Sequence, residues 1–380
     1  MLLKATIIGL GAAGSKACID LINAHSELSP KVMLANTTMK DIPIEYRDRS
    51  VELVSNYKGS GKERAKANKI MFDNLKAGTF DYPFDEDDAM AIIVTSSEGG
   101  TGSGSSTILA KYISSVYKIP VHIYIFTGFE DDGRSLKNTV DLFSELEDNY
   151  TVHSISNAKF LPEVNGNRIK AEKLANKKFV DDVYILLGGY ITDSDQNIDE
   201  SDLLKLANTP GYTCIENISL EKIKNVEDYN TRIIEAFDNS KNLIVEPTCK
   251  RLGLILNINK KTEDFIDYSN KILKERYGVP FESFLHIQSI HEKEYAQIIV
   301  AGLKMPIKDI NEIYENFIKS SNSVDKSKDE FFNANYDTKA DEFDNLKKNK
   351  QGDFKSAKAN FFNDSNSNKM KDTIVRDEEF

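Results

Sequence analysis

The chain has 380 residues, 29% of them charged, and a formal net charge of −11 at pH 7. That length permits two domains and a tail, and the acidic balance argues against a broad direct grip on nucleic acid, which needs a basic surface. Cys18, Cys214 and Cys249 lie far apart and form no CxxC pair, so neither a disulfide framework nor a zinc site is expected and a reduced, cytoplasmic setting fits; no apolar run approaches the roughly 18 residues of a membrane span.

In chain order, Lys4–Leu10 (KATIIGL) predicts a strand, and GAAGSKACIDLINA a glycine turn leading into a helix. Lys31–Asn36 predicts a second strand and Ala89–Thr95 a third. A glycine-dense turn, SEGGTGSGS over Ser97–Ser105, follows, and then a helix with Ile108, Leu109, Tyr112, Ile113 and Val116 on one face. Val121–Thr127 and Thr151–Ser156 are further strands. Strands alternating with helices predict an α/β fold, a parallel sheet covered on both faces. Such sheets bind ligands beyond the carboxyl ends of their strands.

From about Ile169 to Tyr190 a long central helix is predicted, with Leu174, Phe179, Val183, Leu186, Leu187 and Tyr190 mostly on one stripe. GGYITDSDQN ends it with a glycine stop and a polar loop. After about Pro210 the pattern becomes α+β. Strands are predicted in YTCIENISL, NLIVE, RLGLILNIN, SFLHIQSI and YAQIIVAGL, and helices near EDYNTRIIEAF and TEDFIDYSNKILKERY. HEKE, between the last two strands, reads as a hairpin connection. PIKDINEIYENFIKSS is a last helix. Beyond about Ser320 the chain is rich in Lys, Asp, Asn and Ser, as in a flexible tail. The expected division is a nucleotide-binding domain over 1–166, the central helix over 167–192, a smaller α+β domain over 193–303, a C-terminal helix over 304–320 and a tail over 321–380.

The glycine loops carry the chemistry. Gly9-Leu10-Gly11-Ala12-Ala13-Gly14 matches GxGxxG between a strand and a helix, which alone suggests a Rossmann NAD-dependent oxidoreductase. That motif expects an acidic residue at the end of the second strand. Asn36-Thr37-Thr38 stands there instead, and Asp41 comes several residues late. Gly59-Ser60-Gly61-Lys62 is not a Walker loop, because Asn56 replaces its first Gly and Glu63 its Ser/Thr. Any one loop could be a tight turn. Three glycine loops and an Asn-Thr at successive strand ends suit a nucleoside triphosphate with Mg²⁺ better than one dinucleotide.

EGGTGSG over Glu98–Gly104 resembles the GGGTGTG/GGGTGSG signature of the tubulin/FtsZ GTPase superfamily. The resemblance implies that Gly99, Gly100, Thr101, Gly102, Ser103 and Gly104 hold the phosphates of GTP or GDP. It places Gly11, Ala12, Ala13 and Ser15 in the first nucleotide loop, Asn36 in the Asn-Thr after the second strand, and Gly61 and Lys62 near the γ-phosphate. Phe129-Glu130…Arg134 is similar to the family's FE…R segment, with Glu130 at the ribose and Arg134 beside the nucleotide. Asn157 falls where a base-contacting Asn occurs, and Asn176 or Phe179 would contact guanine. No residue is singled out as a metal ligand. Glu98 departs from the signature's first Gly, and its carboxylate must turn away from a triphosphate or help hold a cation.

Asn197-Ile198-Asp199-Glu200-Ser201-Asp202 resembles the family's NxDxxD loop after the central helix; by itself it reads as a polar loop with an Asp N-cap. A helix of this length carries its far end about 30 Å from the nucleotide loops. The resemblance therefore implies that Asn197, Asp199 and Asp202 are catalytic in a neighbouring subunit, in a head-to-tail filament. The tail has no terminal peptide resembling DIPAFLR, so the chain is most similar to the partition tubulins (TubZ) of plasmids and phages. That likeness implies DNA segregation through a DNA-binding adaptor of the TubR type on centromere DNA, docked through the C-terminal tail with its pairs Phe331-Phe332 and Phe361-Phe362. Neither membrane binding nor much direct nucleic-acid binding is expected. A division FtsZ is the other reading within the superfamily.

Overall fold

The computed structural model describes residues 2–53, 59–79, 84, 87–129, 132–146, 148–192, 198–223, 225–243, 248–258, 263–289 and 293–321. Ten strands form one sheet: β1 (Ala5–Leu10), β2 (Val32–Asn36), β3 (Ser50–Glu52), β4 (Met90–Ser96), β5 (Val121–Thr127), β6 (Thr151–Ser156), β7 (Gly211–Ser219), β8 (Arg251–Asn257), β9 (Glu282–Gln288) and β10 (Tyr295–Leu303). The order across the sheet is β3-β2-β1-β4-β5-β6-β7-β10-β8-β9. From β3 to β7 every pairing is parallel; β10 runs antiparallel between β7 and β8, and β9 pairs parallel with β8. The chain turns to one side of β1 for β2 and β3, then to the other side for β4, so the order reverses between β1 and β4. A crevice opens at that reversal, above the carboxyl ends of the strands.

Among the described residues the helices are α1 (Gly11–Ala24), α2 (Arg64–Ala77), α3 (Gly100–Tyr112), α4 (Gly133–Glu145), α5 (Arg168–Leu186), α6 (Glu200–Ala207), α7 (Val226–Asp238), α8 (Glu263–Tyr277) and α9 (Ile307–Ser321). The central strands are buried along their whole length, as parallel strands covered on both faces must be. Alternation along β1 sends Ile8 and Leu10 to a core shared with α2, α3 and α4, and Ala5 and Ile7 to a core shared with α1 and α5. All three cysteines are buried and unpaired. Among the described residues no helix is long and apolar enough to cross a membrane.

Helix α5 is held to the sheet by a buried charge cluster. The Lys178 ammonium donates to Asp182 Oδ1 at 3.0 Å and to the Ile215 carbonyl at 2.7 Å, and lies 3.8 Å from Glu216 Oε2. Ser240 Oγ and Asn242 Nδ2 donate to the other oxygen of Glu216. The cluster fixes the α5 register on β7, because a displaced Lys178 would leave two buried carboxylates uncompensated.

The elements differ from the sequence reading in a few places. HEKE is not a hairpin, since β9 and β10 do not pair: β10 inserts between β7 and β8 instead. Helices α2 and α4 and the three-residue β3 are additions to the sequence reading, although α4 carries Leu136, Val140 and Phe143 at helical spacing. Of the predicted strand NLIVE, Asn242 lies in a bend and Leu243 in irregular structure, and the rest lies outside the described residues, as does the tail after Ser321.

Candidate functional site

Two helices start at the crevice with no spacer. Leu10 ends β1 and caps α1, and Gly11 takes φ +69°, which glycine adopts readily and a side chain rarely does. Gly14 sits so close to the Val94 carbonyl of β4 that a Cβ there would collide with it. That close approach pulls the start of α1 over the reversal point. Helix α3 begins at Gly100, and a Cβ on Gly11 would stand 3.3 Å from the Gly102 nitrogen, so the two N-termini converge.

Neither start has a side-chain cap: Leu10 and Gly99 occupy the cap positions. Helices α4, α5, α6 and α7 are capped by Asp132, Asn167, Asp199 and Asn225. The first turn of any helix leaves N–H groups with no intrahelical partner and a partial positive charge. Those four helices spend an Asp or Asn on them; α2, which follows the Gly59–Lys62 loop, has Glu63 at its cap position and no side-chain cap either. At the crevice the N–H groups of α1 and α3 are left for a ligand, and an anion is what such a pair of termini binds.

The loops around these termini are tied to one hydroxyl. Thr101 Oγ1 lies 3.2 Å from Thr37 Oγ1 and 3.0 Å from Ser60 Oγ, joining the turn after β2 and the Gly59–Lys62 loop to the start of α3. Asn36 shapes its own turn, accepting from the Thr37 N–H at 2.9 Å and donating to Asp41 at 3.1 Å. Gly100, Gly102 and Gly104 are packed against Ser60, Thr95 and Arg64, whereas a Cβ on Gly99 or Gly59 would meet nothing within 4 Å. Ser103 Oγ donates to the Gly99 carbonyl. Ser15 is buried beneath the first loop, Ala12 is half-buried and Ala13 is exposed. Beside this set, Gly61 and Lys62 both have positive φ, and the Lys62 ammonium bonds Asp132 at 3.1 Å and Ser135 Oγ at 3.2 Å. Partial burial pushes the Asp132 carboxyl up, but the Ser135 hydroxyl and N–H and the Lys62 charge outweigh it and hold it down at about 2. Asp132 therefore stays ionised.

The Glu98 carboxylate lies against Gly128, just past the carboxyl end of β5, where a Cβ would overlap it. Arg134 is exposed in the first turn of α4. Glu130 lies outside the described residues.

Two buried polar atoms lie at the carboxyl ends of β5 and β6. Asn157 Oδ1 and Thr127 Oγ1 have no hydrogen-bond partner, although they lie at the ends of the adjacent strands β6 and β5. Buried polar groups are nearly always paired, so each calls for a donor from a ligand or water. The Asn157 N–H is satisfied by the Thr127 carbonyl at 3.0 Å. Asn176, on the α5 face towards α1, donates to Asp20 Oδ2 at 2.8 Å. Phe179 is wholly buried, in T-shaped contact with Tyr124 and Phe126. Thr37, Ser60 and Thr127 were not singled out from the sequence. Only the Asn-Thr-Thr run hinted at the first; nothing local marks Thr127.

Asp199 and Asp202 are elsewhere. Helix α5 leaves the carboxyl edge after β6 and its 19 residues carry the chain about 28 Å towards the amino edge. There Leu3 N–H donates to the Leu187 carbonyl at 2.9 Å, just before β1 begins. At the end of α6 the Asn208 side chain donates to the Ala89 carbonyl, just before β4. Asp199 is exposed and caps α6, accepting from the Asp202 N–H at 2.8 Å; Asp202 lies 3.6 Å from the Lys205 ammonium. The two carboxylates thus sit at the opposite edge of the parallel sheet from the glycine loops. Asn197 lies outside the described residues. Among those residues no group of three or more His, Cys, Asp or Glu could hold a metal ion.

No protein-family model and no curated protein sequence matches the chain. Solved structures match it in fold. TubZ of Clostridium botulinum phage c-st aligns over 84% of this chain and 100% of its own, at 16% identity and a TM-score of 0.64. CetZ1 from Haloferax volcanii, a GDP-bound monomer, aligns over 84% and 100%, at 19% identity and a TM-score of 0.66. TubZ of Bacillus thuringiensis serovar israelensis, a GTPγS-form protofilament, aligns over 84% and 94%, at 15% identity and a TM-score of 0.69. The fold is therefore the tubulin/FtsZ-like one, with TubZ among its close structural neighbours.

An orphaned hydroxyl at a ligand wall costs the empty protein stability. Thr127→Val keeps the shape and deletes the unpaired oxygen, so the ligand-free protein should become more stable by about 1 kcal/mol. Urea unfolding measures this; a loss of stability would show that the hydroxyl already has a partner.

Proposed function

We propose that this chain is a GTP-dependent filament-forming protein whose hydrolytic site is completed by the next subunit. The observation that carries the reading is the separation of an anion crevice from the exposed Asp199 and the half-buried Asp202 by the length of the parallel strands. Asp199 and Asp202 of one copy are out of reach of that copy's own crevice. Head-to-tail stacking would bring the amino edge of one subunit to the carboxyl edge of the next, and repetition of such a contact gives a filament. Support comes from neighbours of the same fold, one described as a GDP-bound monomer and another as a GTPγS-form protofilament.

In this reading the phosphates lie on the starts of α1 and α3, within reach of Gly11 to Ala13, Gly99 to Gly104 and the Thr101 hydroxyl. Lys62 exchanges part of its bond with Asp132 for the terminal phosphate. Glu130 and Arg134 flank the ribose, and Asn157 and Asn176 meet the base. With no acidic cluster among the described residues to cage it, Mg²⁺ would ride on the phosphates and neutralise charge there. Asn197, Asp199 and Asp202 of the neighbour accept hydrogen bonds from the attacking water and hold it in line. Phosphoryl transfer asks chiefly for such positioning. Assembly thus switches hydrolysis on, and loss of the γ-phosphate weakens the contact that made it.

The cargo we assign is plasmid or phage DNA, carried through a DNA-binding adaptor of the TubR type, with the residues after Ser321 as the docking segment. The net charge of −11 suits an indirect grip better than a direct one. A chain ending at Ser321 should bind GTP normally and fail to co-pellet with adaptor-bound DNA; undiminished co-pelleting would remove the tail from this role.

The catalytic assignment has its own test. Asp199→Asn keeps a capping oxygen on α6 and deletes the charge, and Asp202→Ala deletes the second carboxylate. Both variants should bind GTP and assemble by light scattering, yet release phosphate slower by about 10²-fold or more. Loss of GTP affinity in dilute, unassembled variant would place these carboxylates in the subunit's own pocket and defeat the reading.

A further inference from the structure

The cap at the far end of α6 is built into a buried chain of hydrogen bonds. Asn208 closes α6, and its side chain reaches to the starts of β4 and β5. Asn208 Nδ2 donates to the Ala89 carbonyl at 3.1 Å, and its Oδ1 lies 2.9 Å from His122 Nε2. His122 Nδ1 lies 3.3 Å from His153 Nε2, and the His153 ring stacks on Tyr124 at 4.0 Å between centroids. Neither imidazole is more than 2% exposed. Tyr124 in turn meets Phe179 of α5 edge-on.

The chain has one permitted direction. A carbonyl can only accept, so the Ala89 oxygen fixes which end of the Asn208 amide faces it. The amide oxygen therefore faces His122, and His122 Nε2 must carry a hydrogen. In a neutral imidazole the other nitrogen is then bare. His122 Nδ1 must accept, and His153 Nε2 must donate. Both rings are neutral Nε2–H tautomers, as their burial favours. A proton on His122 Nδ1 would set two N–H groups against each other and break the chain at its middle.

The chain joins α6 to the strands that hold the ligand crevice. Helix α6 has only eight residues, and Leu203, Leu206 and Ala207 on its buried face set its roll. Leu206 seats over Gly253, and Arg251 donates to the Lys205 carbonyl at 3.4 Å and to Thr209 Oγ1 at 3.2 Å, which ties the helix to β8; neither contact ties it to the strands of the crevice. Asn208 is directional. It pins the C-terminal end of α6 to β4 and β5, and the carboxylates of Asp199 and Asp202 are borne at the other end of the same short rod.

We infer that Asn208, held by His122 and His153, is a positioning residue for the trans-acting aspartates. The inference rests on the hydrolysis reading above, and it adds three residues that no part of that reading uses. A slide of about 1 Å at α6 moves both carboxylates by as much, and a misplacement of that size costs about 10²-fold in rate.

The test compares full-length Asn208→Leu, His122→Leu and His122→Gln with wild type in steady-state GTP turnover above the assembly threshold. Glutamine can place its amide nitrogen where His122 Nε2 donates. Asn208→Leu and His122→Leu should lower kcat about tenfold or more, with KM for GTP and the assembly threshold changed less than about twofold. His122→Gln should recover most of the rate. The double variant Asn208→Leu/His122→Leu should be no slower than the slower single one, because the two act through one bond. Wild-type turnover with unchanged kcat in the folded single variants, or fully additive losses, overturns the inference and spares the reading beneath it. No turnover in wild type at any concentration overturns both. Should the leucine variants not fold, ¹⁵N spectra of the wild-type imidazoles decide: two Nε2–H tautomers at pH 7 support the chain, and an Nδ1–H tautomer or a charged ring at His122 contradicts it.

Discussion

A rigid helix cannot put both of its ends in one place, and α5 makes this the governing constraint of the molecule. It begins beside the turn after β6, at the carboxyl edge of the sheet, and delivers the chain about 28 Å away, beneath the start of β1. The buried Lys178–Asp182–Glu216 cluster prevents it from slipping along β7. Whatever binds the glycine loops is therefore out of reach of Asp199 and Asp202 in the same copy. The proposed division of labour between subunits follows from that distance before any question of sequence likeness arises.

The contrast among helix starts gives the crevice its meaning. Four helices are closed by their own Asp or Asn, each quenching part of the positive pole of its helix. Helices α1 and α3 are opened by a leucine and a glycine. They converge at the reversal of strand order, where the Thr101 hydroxyl gathers two further loops. Such a construction forgoes local stability at one place, and the unpaired oxygens of Thr127 and Asn157 forgo more. Natural chains accept such losses at sites of function.

Much of this was legible in the sequence, for identifiable reasons. The glycine loops and the Asp199 cap are contiguous motifs, and the parallel strands are apolar runs that local pattern betrays. Pairing between strands distant in sequence is another matter. Adjacent β9 and β10 look like a hairpin, yet β10 is taken by β7 and β8, which no local pattern encodes. Phe179 lies on a stripe that announces burial, but the stripe does not name its partners, the rings of Tyr124 and Phe126. Thr37, Ser60 and Thr127 become wall residues only through folding, and His122, His153 and Asn208 lie 31 and 55 residues apart along the chain (153 − 122 and 208 − 153).

The claim that the nucleotide pocket is finished by a neighbour is met most directly by GTP turnover per subunit, measured across protein concentration. The account predicts negligible turnover in dilute protein and a sharp rise at the concentration where light scattering reports assembly. Turnover per subunit that is constant from well below that concentration to well above it would contradict the account.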